Sequence, residues 1–438
     1  MTQKEKAFVF AKTDCNAKRK KKEKRKNKKE ESVLSIKRKN IPDGMRDMIY
    51  AENKAEKNLG ERISTLYEKR GYGCVVTPAL EYYDVFNFDS QTIPEENMFK
   101  LTDKSGRLVV MRPDNTTPMA RIAATRLKDA PRPLKLYYNQ HVFRISKDYS
   151  GKRSEFAQTG IEIIGGNCLK ADIEAVVTAL RTLREVSEFY GGSVNYKLEL
   201  GHAHFCKALL DAAGLSDEAR ELVTKYIGAK SSSGLDMMSD NGEIAPSFLE
   251  KIRQIPRLYG TKSVISKARE LCLGVKNAME ALDYLENIYT ILDENGFSEN
   301  ISIDLATVND MDYYTGVVFR GYIDYTGEAV LGGGRYDNLM SNFGTREGAT
   351  GFGINLSVVA DKLSRAVGTN EVKEKTVLVH YSDTALVSKA LNYIENCSGR
   401  CVMSCFEGVD EAVSFAKASG VSKVVEVKKS GIEEVWSE

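Results

Sequence analysis

In the segment NIPDGMRDMIYAENKAEKNLGERISTLYEKRGYG, the residues Ala55, Leu59, Ile63 and Leu66 recur at helical spacing between charged neighbours. They predict an amphipathic helix that ends near Gly71. The apolar stretch CVVTPALEYYDVF follows as a strand, and Pro78 within it demotes that strand to an edge or an interface. Alternating character predicts further strands over 107–112, 134–146 and 155–165, then a helix over 170–189 and a strand at VNYKLELG. From about 203 to 296 the pattern is helical and charged, broken at AKSSSG and SDNG, and reads as a helical insertion. Strand character returns at 301–307, 317–323 and 328–332, with DYTG as the hairpin turn between the last two. Residues 366–374 read as a linker. Residues 375–438 alternate TVLVHY, a helix, RCVMSCF, a helix and KVVEV, the pattern of a small α/β unit. Strands joined by hairpins with helices between them indicate an α+β fold on an antiparallel core.

A length of 438 residues exceeds one typical core and implies two or three domains. No apolar run is long enough to span a bilayer, and the N-terminus has no apolar signal-peptide core. Eight cysteines without a framework spacing read as reduced thiols, so a cytoplasmic location is expected. The net charge of +2 conceals an asymmetry. Residues 1–40 carry 16 Lys/Arg against 5 Asp/Glu, which makes the remainder acidic. This basic stretch has almost no apolar residues and is expected to be a disordered tail. Two readings are open for it, an arm for nucleic acid or an anionic surface, and a solvated extension. The lack of interleaved aromatics favours the second.

Within RSEFAQTGIEIIGG, period-two alternation puts Phe156, Gln158, Gly160, Glu162 and Ile164 on one face, and Ala157, Thr159, Ile161 and Ile163 on an apolar one. An amide and a carboxylate flanking a glycine suit a ligand approaching the backbone. A solvated face with a bulge glycine is the competing reading. Arg144 shares a face with Tyr138, Gln140 and Val142 on the preceding strand. A lone arginine there is an anion clamp only if it lies beside Gln158, and otherwise a surface pair. In VVMRPDNTTPMAR, Asp114 and Thr116 suit the cap of a helix starting at Pro118. The three glycines of AVLGGGRYDNL lack the following Lys-Ser/Thr of a Walker loop and suggest close backbone approach under a pocket. Cys397, Cys401 and Cys405 fit no zinc spacing, and Cys401 and Cys405 read as core thiols of a buried strand. His202 and His204 read as a strand end. No metal or cofactor is expected.

The succession IPDGMRD, TPALE, RPDNTTPMAR, FRISKDYSGKRSEFAQTGIEIIG, DMDYYTGVVF, LGGGRYDNL and ATGFGI resembles the histidyl-tRNA synthetase-like proteins over roughly residues 41–365. The resemblance implies a class II aminoacyl-tRNA synthetase-like antiparallel sheet with helices, formed by 41–202 and 297–365. The helical insertion at 203–296 interrupts it, and the small C-terminal α/β domain follows. It implies a histidine pocket in which Asp114, Thr116 and Gln158 face the amino group, while Glu162, Tyr313, Tyr314 and Tyr336 face the imidazole, with Arg144 alongside. Asp114 stands where the family usually has Glu.

The ATP side departs from the family. Its catalytic arginine position, three residues before the Asp of DYYTG, is Asn309, and the arginine of its last motif is Val358. Ser146 replaces the acid after FR, and of the loop's basic pair Lys152 remains while Ser154 replaces the other, with Arg153 between them. Each missing cation would cost roughly 10²–10³ in rate. The short C-terminal unit and acidic body also suit tRNA poorly. Within the family the pattern is most similar to the regulatory subunits of ATP phosphoribosyltransferase. That implies a non-catalytic chain, dimeric through the segment around Pro78 within a hetero-oligomer. Its expected partner is the short-form catalytic subunit and its effector L-histidine, with no membrane or nucleic-acid partner. The alternatives are a divergent histidyl-tRNA synthetase and a synthetase-like RNA-binding factor.

Overall fold

A computed structural model describes residues 39–88, 93–145, 153–229, 231–242, 244–306, 313–368 and 375–438. The basic tail, Ser146, Lys152 and Asn309 lie outside them. The chain divides into two compact units between residues 369 and 370.

The helix Tyr50–Lys69 buries Ala55, Leu59, Ile63 and Tyr67, the face marked by its apolar spacing. It ends at Arg70 and Gly71, whose φ of +82° is a conformation that glycine adopts without strain. The chain then runs through β1 (Gly73–Cys74), β2 (Leu80–Tyr82), β3 (Lys100–Thr102), β4 (Leu108–Met111), β5 (Leu134–Phe143), β6 (Glu155–Ile164) and β7 (Tyr196–His202). The helices Thr116–Ala124 and Leu169–Phe189 interleave with these strands. Next come β8 (Tyr259–Gly260), β9 (Ile301–Asp304), β10 (Val317–Ile323), β11 (Leu331–Arg335), β12 (Ala349–Asn355) and the helix Leu356–Val367.

Among the described residues the large sheet has nine strands in the order β1-β5-β6-β12-β11-β10-β7-β9-β8. Its centre is antiparallel, as expected of the core, while β1 pairs β5 and β7 pairs β9 in parallel, so the sheet as a whole is mixed. The helix Leu169–Phe189 packs one face with Val176, Leu180 and Leu183 in the main apolar core, which also holds Ile161, Ile163 and Phe352 of the sheet. The opposite face is left for the site.

The stretch CVVTPALEYYDVF is not one strand. It breaks at Pro78, so that β1 joins the large sheet while β2 pairs β4 in a separate three-stranded sheet, β2-β4-β3. Proline has no N–H to continue a ladder, and the Thr77 N–H is taken by the Gln140 side chain at 2.8 Å. The strand expected at 328–332 runs from Leu331 to Arg335, and the one expected at 301–307 ends at Asp304. The region 203–296 is helical apart from β8, which pairs back onto β9. Among the described residues no helix is long and apolar enough to cross a membrane.

In the second unit, β13 (Thr376–Tyr381), β14 (Arg400–Met403) and β15 (Lys423–Val427) are parallel, and β16 (Ile432–Ser437) closes one edge antiparallel, a strand absent from the sequence reading. Cys405 is exposed and Cys401 half-buried, contrary to their reading as core thiols. The edge strand β14 ends at Met403, and the buried Ser404 then turns its hydroxyl to the His380 ring at 3.1 Å.

Candidate functional site

The eight candidate residues Asp114, Thr116, Arg144, Gln158, Glu162, Tyr313, Tyr314 and Tyr336 all line one cavity of about 340 Å³ on the face of the large sheet away from the main core. Sheet register explains the cavity. Directly paired residues share a face, and one row across the sheet reads Tyr138, Gly160, Gly353, Gly332, Arg320. The next reads Leu136, Glu162, Gly351, Gly334, Val318. Two rows with so many glycines leave a trough between longer side chains.

Of the two readings open for Gly160, the ligand gap is not the one the structure has. A Cβ there would collide with the Tyr138 hydroxyl and the Phe352 carbonyl, so the tyrosine ring already fills the space. Gly351 makes room for the Glu162 carboxylate, and Gly353 for the Gln158 amide and the Tyr138 hydroxyl, each 2.8 Å from its missing Cβ. The open floor is at Gly332, where a Cβ would meet nothing within 4 Å.

Glu162 is 1% exposed. Its Oε2 accepts a hydrogen bond from the Tyr336 hydroxyl, while Oε1 has no hydrogen-bond partner. Burial raises its pKa to about 8, against the opposing bonds from Tyr336 and Thr116. A buried carboxyl oxygen left without a partner costs roughly 1–3 kcal/mol, a cost that a donor on a ligand would remove. Tyr313 stacks on Tyr336 with centroids 5.5 Å apart and meets Tyr314 edge-on at 5.0 Å. These rings wall the Glu162 end with flat apolar surface.

Asp114 does two things at once. Its Oδ1 accepts from the Thr117 N–H at 2.8 Å, capping a helix that starts at Thr116 rather than at Pro118, and its carboxylate also faces the cavity. Burial raises its pKa. Gln158 is held by a chain of amides running back into the protein. Its Oε1 accepts from Asn115 at 3.0 Å, Asn115 Oδ1 accepts from Gln140 at 3.2 Å, and Gln140 Oε1 accepts from Arg112 at 3.3 Å. Arg144 lies beside Phe156, its guanidinium 5.6 Å from the ring, and its Nε donates to the Pro113 carbonyl at 2.7 Å. It therefore shares the cavity with Gln158.

Tyr138, Phe156, Asn355 and Arg320 also line the cavity and were not among the candidates. Alternation along β5 marks the face of Tyr138, but Arg320 is identified only through the cross-strand register that sets it opposite Gly332.

Among the described residues, the positions where the family carries cations on the ATP side are filled by other groups. Val358 lies in the first turn of the helix Leu356–Val367, with its N–H on Asn355 Oδ1 at 3.0 Å and its side chain against the main apolar core. Arg153 pairs with Asp361 at 3.4 Å, and Ser154 is buried with its N–H on the Gly44 carbonyl. A larger cavity of about 1000 Å³, lined by His202, Lys207, Tyr284 and Arg335 among others, contains none of the eight candidates. Its most buried cation, Arg335, is already held by Asp172 at 2.8 Å, so the smaller cavity is the better ligand site. Among the described residues no group of three or more His, Cys, Asp or Glu could hold a metal ion.

Residues 44–359 match the family model described as histidyl-tRNA synthetase. An ATP phosphoribosyltransferase regulatory subunit from Clostridium botulinum strain Langeland is 36% identical over 392 residues, covering 88% of this chain and 91% of that protein. One from Bacillus cereus strain AH187 is 33% identical over 405 residues, covering 91% and 94%. A crystal structure of an ATP phosphoribosyltransferase regulatory subunit/histidyl-tRNA synthetase from Bacillus halodurans superposes with a TM-score of 0.77 at 28% identity, over 89% of this chain and 98% of the other. Histidyl-tRNA synthetase from Nostoc shares the fold with a TM-score of 0.71 at 20% identity, over 89% and 91%.

Proposed function

Because the chain belongs to the ATP phosphoribosyltransferase regulatory subunits, built on the histidyl-tRNA synthetase fold, we propose that it binds L-histidine in the trough and passes that signal to a catalytic subunit. The observation that carries this reading is Glu162, whose buried Oε1 has no partner and lies in a pocket walled by aromatic rings. An imidazole N–H supplies the donor that Oε1 lacks, with Tyr313 and Tyr336 against the ring. The ammonium group goes to Asp114, Thr116 and Gln158, where carboxylate, hydroxyl and amide oxygens are all acceptors.

Feedback then follows from linkage. Histidine shifts the assembly only by the difference in its affinity for the active and inactive states. The chain itself does no amino-acid activation in this reading, since a valine packed into the core cannot clamp a phosphate. The partner is the short-form catalytic subunit, activated by this chain in a hetero-oligomer of the biosynthetic enzyme for histidine. A second copy of the chain covers the apolar face near Pro78, where Leu80, Tyr82 and Leu101 are 49%, 41% and 44% exposed on one face of the small sheet. The domain limits expected from sequence, 41–202 with 297–365, 203–296, 366–374 and 375–438, are part of this proposal.

The test is phosphoribosyl-ATP formation by the short catalytic subunit, with and without this chain, as histidine is titrated in. Activity should depend on the chain and fall with histidine, and Glu162→Ala should abolish the fall while leaving assembly intact. No effect of the chain at any ratio would sink the proposal. Histidine-dependent ATP–pyrophosphate exchange would favour a divergent synthetase instead.

A further inference from the structure

Among the described residues the cavity is lined by two cations, Arg144 and Arg320, and they are not equivalent. Arg144 is occupied, with its Nε on the Pro113 carbonyl and its guanidinium over Phe156. It also lies near enough to Asp114 to lower the pKa of that acid, against the burial that raises it. Arg320, on β10, makes no hydrogen bond or ion pair among the described residues. Its cross-strand neighbour on one side is Glu199, which hydrogen-bonds Tyr322, and the charge of Arg320 is felt at the same Tyr322 hydroxyl. On the other side is Gly332, over which the floor is empty. A half-buried guanidinium facing open space in a polar cavity is a group suited to an anion.

Its distance from the acid end fits a small zwitterion. Three strand spacings of roughly 4.8 Å separate Gly160 of β6 from Arg320, about 14 Å in all. The Glu162 carboxylate leans over Gly351, one strand toward Arg320, and Arg320 lines the same cavity from the far side of Gly332. What remains between the two groups is on the scale of one amino acid. The side-chain and amino ends of such a ligand have acceptors at Glu162, Asp114 and Gln158, but a carboxylate needs a cation.

We propose that Arg320 holds the α-carboxylate of the bound amino acid and so selects a free amino acid over its uncharged analogues. This rests on the reading of the trough as a histidine site.

The test compares L-histidine with L-histidinol, which keeps the imidazole and the amine but has a hydroxymethyl group in place of the carboxylate. Calorimetric titration of the full chain should show histidine preferred by about 10- to 100-fold, the range of one charge-assisted hydrogen bond. In Arg320→Met and Arg320→Gln that preference should collapse to near parity while histidinol binds as it does to the unmodified chain. A preference that survives in both variants overturns the proposal and leaves the histidine site standing. Loss of histidinol binding in both also overturns it, because a group that serves only the carboxylate is dispensable for a ligand without one. Failure of the unmodified chain to bind histidine at all sinks the reading of the site itself.

Discussion

Glu162 shows what a single residue can carry. Its ordinary pKa of 4.5 is raised to about 8 by burial. Below pH 4.5 the folded and unfolded chains both hold the proton. Above it the unfolded chain releases the proton while the folded chain keeps it to about pH 8, so stability falls as pH rises through that window. The slope is roughly 1.4 kcal/mol per pH unit. Glu162→Gln, which imitates the protonated acid, should remove this fall. Melting temperatures of the two chains should therefore diverge from pH 5 to pH 8, with the Gln variant the more stable at the upper end. Parallel curves would show that the carboxyl is ionised throughout. At this scale Gln158 and Glu162 were legible because strand alternation fixes a face from one segment alone. Gly160 stayed open between a ligand gap and a bulge glycine because the Tyr138 ring that fills the space comes from the paired strand.

Between elements, the tie from β11 to the helix Leu169–Phe189 runs through one buried ion pair. Arg335 Nη2 lies 2.8 Å from Asp172 Oδ1, and Nε donates to Oδ2 at 3.0 Å, with side-chain exposures of 10% and 0%. Arg335 also donates to the Gly166 carbonyl and to Asp337, so its charge is fully met. Burial works against the guanidinium charge, yet the Asp172 bond and the nearby Asp337 carry its pKa above the ordinary range. Removing Asp172 leaves Arg335 only the partly exposed Asp337 as a counter-charge, and removing Arg335 leaves Asp172 buried without a cation. Asp172→Ala should cost about 3–5 kcal/mol in denaturant unfolding, whereas Asp172→Leu with Arg335→Met should recover most of it. A single-variant loss below about 1 kcal/mol would place the pair among weak surface bridges.

The three-stranded sheet gives a second prediction at this scale. Leu80→Asp with Leu101→Asp puts charge into its apolar face and should turn a dimer into a monomer in light scattering at micromolar concentration. A dimer that persists would move the interface elsewhere. Element boundaries were less legible than faces. Pro78 marks the break in the strand's own residues, but which sheet each half joins, and the pairing of β16, depend on which neighbour accepts a strand edge.

For the whole molecule, the motif order displayed the fold because AQTGIEII, LGGGR and ATGFGI lie on β6, β11 and β12, which pair although far apart in sequence. The nine-strand order and the parallel pairs at its flanks depend on long crossovers that local pattern does not encode. The proposed regulation belongs to this scale too, and reciprocity constrains it. If histidine favours an inhibited assembly by some factor, that assembly must bind histidine more tightly than the active one by the same factor. A coupling of about 1–3 kcal/mol corresponds to roughly 5- to 150-fold. Histidine affinity should therefore differ between the free chain and the chain saturated with catalytic subunit and its substrates. The substrate-loaded complex, being the active state, should bind histidine more weakly by the factor with which histidine weakens substrate binding. Both arms can be read by calorimetry on the same preparation. Equal affinities in the two states, alongside inhibition by histidine, would place the inhibitory site on the catalytic subunit and leave the trough without a regulatory role.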